Sequence, residues 1–127
     1  MAGMSAYLEG KVLEHTLDIA SYTAPSAVYV GLYTAPPTDA GGGTEVSGGS
    51  YARQEVTFSR ADNVAENDAQ IEFPMATASW GTVVAAGVFD APSGGNLLYW
   101  NDLASVREVG NGSEFFIEPG NLTVTMD

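Results

Sequence analysis

The chain has 127 residues, 45% of them hydrophobic and 16% charged, which is globular composition with room for one core, so a single domain over residues 1–127 is expected. Sixteen acidic residues face four basic ones, Lys11, Arg53, Arg60 and Arg107, for a formal charge of −12; nucleic acid and anionic membranes, which demand clustered Lys and Arg, are excluded as partners. Cysteine is absent, removing disulfides, thiolate metal sites and thiol nucleophiles, and neither a membrane-spanning apolar run nor a signal-peptide pattern is found.

From residue 5 to about residue 20, Leu8, Val12, Leu13, Leu17 and Ile19 recur at helical spacing, with Tyr7, Lys11, Glu14 and Asp18 opposite. One helix is predicted here. Its apolar arc is wide enough to bury one flank on a sheet and offer the other to a neighbouring subunit. After Ser21 the period becomes two: Val28, Val30 and Leu32 alternate with Tyr29, Gly31 and Tyr33 until Pro36 and Pro37. Residues 35–50, APPTDAGGGTEVSGGS, read as an exposed, mobile loop that makes contacts between subunits or at a particle surface.

Strand-like segments follow at residues 53–59, with Val56 and Phe58 inward; at 69–75, with Ile71 and Phe73 inward; and at 81–89, almost wholly apolar and hence central. The turn DAPSGGN joins residues 83–89 to 97–103 in the clearest hairpin. A closing pair, residues 114–118 and 122–126, is joined by Pro119, Gly120 and Asn121. The expected fold is mainly β: an antiparallel sandwich or small barrel of six to seven strands with one N-terminal α-helix.

Catalytic equipment is sparse. His15 is the only histidine, which rules out a triad needing a second, and at the border of the helix's polar arc it reads as a solvated or interface side chain. Residues 41–49 lack the Gly-Lys-Ser/Thr ending of a phosphate loop. Asp62, Asn63, Glu66, Asn67 and Asp68 offer calcium-type oxygen ligands but match no EF-hand spacing, and a solvated turn is the plainer reading. Trp80, Trp100, Tyr51, Tyr99, Phe115 and Phe116 suit core and subunit contacts, with a sugar-binding platform as the alternative. No catalytic residue, cofactor or metal is expected.

Three stretches, VYVGLYTAPPTDAGGGTEVSGGSYARQEVTF, IEFPMATASWGTVVAAGVFDAPSGGNLLYW and EPGNLTVTM, together with the opening AYLEGKVLEHTL, resemble a family of small tailed-bacteriophage structural proteins commonly labelled tail-fibre or virion structural proteins. The resemblance implies a non-enzymatic virion component with a compact β domain, made in the host bacterial cytoplasm and carried on the virion exterior. The sequence has neither heptads nor strand repeats, so alone it builds no long fibre shaft. Two placements follow: an outer capsid decoration (cement) protein bridging the major capsid protein, or a tail-fibre, baseplate or collar part bound to tail proteins. Self-association, commonly as a homotrimer, fits either. Candidate contacts are Leu8, Val12, Leu13, Leu17 and Ile19 on the helix, Gly41, Gly42, Gly43, Thr44 and Glu45 in the loop, and Tyr51, Trp80 and Trp100.

Overall fold

Ser5 decides where the helix begins. In the structure, a computed structural model that describes residues 3–126, β1 (Gly3–Met4) leads into Ser5, whose Oγ accepts from Leu8 N at 3.2 Å and donates to Leu97 O at 2.6 Å. Such a cap occupies an amide that the helix start leaves open, and α1 (Ala6–Thr16) follows. Apolar periodicity continues to residue 19, yet the helix stops at Thr16. Asp18 adopts a left-handed φ of 60° and Ile19 N donates back to Glu14 O at 2.8 Å, a C-terminal turn that closes the ladder. His15, in this last turn, accepts from Tyr22 N at 3.2 Å through Nδ1 and so ties down the outgoing chain.

The remaining elements are β2 (Val28–Ala35), β3 (Thr44–Glu45), β4 (Gln54–Val56), β5 (Phe58–Ala61), β6 (Val64–Asn67), β7 (Ile71–Glu72), β8 (Gly81–Phe89), β9 (Leu97–Val109), β10 (Phe116–Ile117) and β11 (Thr123–Thr125). The main sheet has the order β1-β9-β8-β2-β3, with β4 also on β2. A three-stranded sheet, β11-β6-β5, and a two-stranded one, β10-β7, complete the fold. Every pairing is antiparallel. The protein is thus mainly β with one helix near its start, in a sandwich-like arrangement whose main sheet stays open. Eleven strands among the described residues exceed the six to seven expected because several are two-residue pieces, too short to leave a period in the sequence, and because segment 53–59 breaks at Thr57.

β8 is apolar from Val83 onward because both its faces are covered there. Val83 and Ala86 join Val30, Leu32, Ile71, Phe73, Trp80, Val109 and Phe115 in the larger core, while Ala85 packs with Tyr33 and Phe89 on the other side. A register shift between Val83 and Ala85 moves the alternation from one face to the other within the strand. On the second face Gly31 and Gly87 are cross-strand partners. A Cβ at Gly31 would lie 2.7 Å from Glu45 Oε2, and one at Gly87 2.7 Å from Leu97 Cδ1, so this bare strip is where side chains from both ends of the sheet settle onto the backbone.

Three expectations are corrected. Residues 114–118 and 122–126 do not pair with each other: β10 pairs with β7 and β11 with β6, since the Pro119-Gly120-Asn121 turn is gripped by Asn67. That side chain, 1% exposed, donates to Ala69 O and Glu118 O and accepts from Leu122 N. The solvated turn read at residues 62–68 is a turn followed by β6, and Asn67, counted among possible ion ligands, spends its amide on backbone partners. Lastly, residues 35–50 are not free along their length: β3 lies antiparallel on β2, and Val46 is buried in the larger core.

Candidate functional site

The glycine-rich segment, the start of α1 and the β8–β9 hairpin loop meet at one end of the second face. Arg53 joins them. Its Nε donates to Glu45 Oε2 and its Nη2 to Glu45 Oε1, both at 2.9 Å, while Nη1 reaches Ala91 O and Gly94 O at 2.9 Å each. The guanidinium lies 3.5 Å from the centroid of the Phe89 ring. A planar fork that pairs bidentately and stacks on an aromatic face is work for Arg rather than Lys. The Arg53 side chain is 9% exposed and that of Glu45 25%, so one of the chain's four cations is spent inside the fold.

The pair is electrostatically well matched. Burial alone would push the Glu45 carboxyl up, but hydrogen bonds from Arg53 and Tyr51 and the guanidinium charge outweigh it and hold the group below its usual range. The Tyr51 hydroxyl donates to Glu45 Oε2 at 2.6 Å and accepts from Leu32 N at 2.9 Å; burial first, then the bond to Glu45, raises its pKa. Tyr33, buried beside them, is pushed up to about 12 by desolvation and by Glu45. Both phenols are therefore protonated at neutral pH.

Beside this clasp opens a cleft of about 390 Å³, lined by Tyr7 from α1, Tyr33, Asp39, Arg53, Phe89 and Asn96, with Gly41, Gly42, Gly94 and Gly95 along its lips. Asp39 is held by two elements: Trp100 Nε1 donates to its Oδ1 at 3.0 Å, and Ala6 N donates to its backbone oxygen at 2.7 Å. A second cleft, about 310 Å³, lies between the sheets and is lined by Ala86, Val88, Tyr99, Asp102, Leu103 and Leu122 among others.

The candidate contact residues are dispersed. On α1, Leu8 is buried and Val12 half-buried, whereas Leu13, and Leu17 and Ile19 in the turn that follows the helix, are 57%, 64% and 69% exposed, leaving these apolar side chains in solvent. Gly41 and Gly42 border the first cleft, and Gly43, with φ 74°, is a tight turn where a Cβ would meet Ala35 O at 2.7 Å. Thr44 and Glu45 form β3. Tyr51 and Trp80 belong to an aromatic cluster with Phe73 and Phe115: Tyr51 meets Trp80 edge-on at 5.4 Å and Phe73 meets Phe115 at 5.7 Å. Trp80 is 5% exposed and donates to Gly49 O at 2.8 Å, so it and Trp100 share no surface platform. Arg53, Tyr33, Asp39 and Asn96 escaped the sequence reading. The one available signal was that Arg53 is a rare cation inside an otherwise strand-like stretch.

Among the described residues no group of three or more His, Cys, Asp or Glu side chains is placed to hold a metal ion, and no helix is long and apolar enough to cross a membrane. Among curated proteins no match to the chain is found. Residues 3–125 match the family described as Podophage GP4 fiber I protein gp80. That match spans all three sheets, α1 and the clasp, and the chain belongs to this family of phage fibre and virion structural proteins.

Proposed function

We propose that the protein is a non-enzymatic part of the tail-fibre apparatus of a tailed phage, a compact β module on the virion exterior that works by packing against other virion proteins. The observation that carries this reading is the family match over residues 3–125, which takes in the entire β fold. Leu13 on α1 and Leu17 and Ile19 in the turn after it supply the contact with further copies or tail proteins, because exposed apolar side chains close together in the chain favour association.

A second reading, an outer capsid decoration protein that bridges major capsid subunits, is favoured by the lack of heptads or strand repeats for a shaft and by the −12 charge, which keeps a densely displayed domain soluble. Copy number decides between them. Quantitative mass spectrometry of purified particles, referenced to the major capsid protein, is expected to give a few copies per hundred capsid subunits. A ratio near one to one would replace the tail placement with the decoration role.

A further inference from the structure

We infer that the cleft between the start of α1, the 39–42 turn and the 94–97 loop is a binding site for one unit of a neutral saccharide. The inference rests on the cleft alone and holds wherever on the particle the protein sits.

The first reason is Tyr33. The residue is 4% exposed, and among the described residues its hydroxyl has no hydrogen-bond partner. Among the described residues no fully buried side-chain oxygen or nitrogen lacks a partner, so this hydroxyl is open to solvent at the end of an otherwise buried ring, and Tyr33 lines the cleft. A phenol whose ring is fixed in the core and whose hydroxyl meets only water is placed to exchange that water for a ligand hydroxyl. With its pKa pushed up to about 12, the group stays a donor at neutral pH.

The second reason is what surrounds it. Asp39 offers Oδ2 as an open acceptor while Trp100 fixes Oδ1, which orients a carboxylate for hydroxyl donors. Asn96 donates through Nδ2 to Asp90 Oδ2 at 3.0 Å, leaving its carbonyl oxygen as a further acceptor. Tyr7, 37% exposed, presents an aromatic ring at the cleft wall, a partner for the apolar C–H face of a sugar ring. At Gly41, Gly42 and Gly94 an added Cβ would meet nothing within 4 Å, so the lips are bare backbone. A few convergent polar groups, an aromatic wall and about 390 Å³ of space lie within the ordinary range of small-ligand sites, roughly 300–1,000 Å³.

Charge selects the class. Arg53 is neutralised by Glu45 at 2.9 Å, Asp39 adds a negative charge, and the whole chain carries −12. An acidic sugar is repelled and a neutral one is not.

The test is an amide NMR titration of the isotopically labelled full chain with glucose, galactose, mannose, rhamnose and N-acetylglucosamine, with glucuronic acid and N-acetylneuraminic acid as anionic comparators. At least one neutral sugar is expected to shift amides of residues 39–42 and 94–97 selectively. Tyr33→Phe removes only the unpaired hydroxyl, so it should keep the wild-type thermal midpoint and weaken binding about tenfold. Silence with every neutral sugar, shifts produced only by the acidic ones, or an unchanged Kd in Tyr33→Phe would each overturn the proposal. None of these outcomes bears on the copy-number measurement, so the two readings fail separately.

Discussion

The glycine-rich segment and the helix present opposite cases of the same question. Both read from the sequence as contact surfaces, the segment because it is polar and flexible in composition, the helix because its apolar arc is too wide for one neighbour. In the structure the polar segment is held down by β3 and the Arg53–Glu45 clasp, while the apolar flank Leu13, Leu17 and Ile19 faces solvent. Glycine content reports what conformations a backbone can adopt, not whether something fixes it. A single partly buried ion pair with satisfied hydrogen bonds outweighs that freedom, whereas apolar periodicity on a helix says nothing about whether a partner sits within the same chain.

The comparison breaks first at Arg53. Arg53→Ala leaves the Glu45 carboxylate with only its hydrogen bond from Tyr51 and frees the carbonyls of Ala91 and Gly94, and a loss of roughly 1.5–3 kcal/mol is expected, the scale of hydrogen bonds to a charged group. Urea unfolding measures it; a loss below about 1 kcal/mol, the scale of an exposed pair, would show that the clasp does not hold the segment. Gly31→Ala tests the same region from beneath, since its Cβ meets Glu45 Oε2 at 2.7 Å and Phe89 Cε1 at 2.8 Å. Overpacking of this kind costs about 1–3 kcal/mol, and the thermal midpoint should fall accordingly.

Acid sharpens the contrast. Because the folded Glu45 carboxyl lies below its usual range, its contribution is complete above the unfolded value, about 4.3, and is lost as pH falls through the folded one. The stability gap between wild type and Glu45→Gln, followed by urea unfolding from neutral pH downward, should narrow below about pH 4.3. A gap that is constant with pH would mean the carboxylate's charge contributes nothing. On the helix the expected effect on folding is the smallest: Leu13→Asp with Leu17→Asp should change monomer stability by about 0.5 kcal/mol or less, as at exposed sites. Light scattering should nevertheless show a smaller assembly if this flank is the subunit contact; an unchanged mass would move that contact elsewhere.

Legibility varied with the length of each pairing. β2, β8 and the hairpin into β9 were readable because long runs carried a clear period or were apolar on both faces. β6 was not, since Val64-Ala65-Glu66-Asn67 lies in an outer sheet where only part of one face is covered, and polar residues there imitate a turn. The closing strands were found, but their pairing was misassigned because proximity in sequence suggested a hairpin, whereas Asn67 draws the intervening turn onto another strand. Of the cleft only Gly41 and Gly42 were singled out. Its chemistry comes from Tyr7, Tyr33, Asp39, Arg53 and Asn96, which lie far apart in the chain and share no motif.

By itself the sequence determined a mainly β fold with one N-terminal helix, a strongly acidic composition, and membership of a phage structural family. These follow from composition, from periods of two and of about 3.6, and from long shared stretches, all of which are local properties of the chain. Tertiary structure alone decided that Trp80 belongs to the core, that Arg53 closes on Glu45, that Tyr33 lines a cleft, and that Leu13 on the helix and Leu17 and Ile19 just beyond it remain uncovered. Those outcomes depend on which strands become neighbours, and a short strand's choice of neighbour is set by contacts with residues tens of positions away.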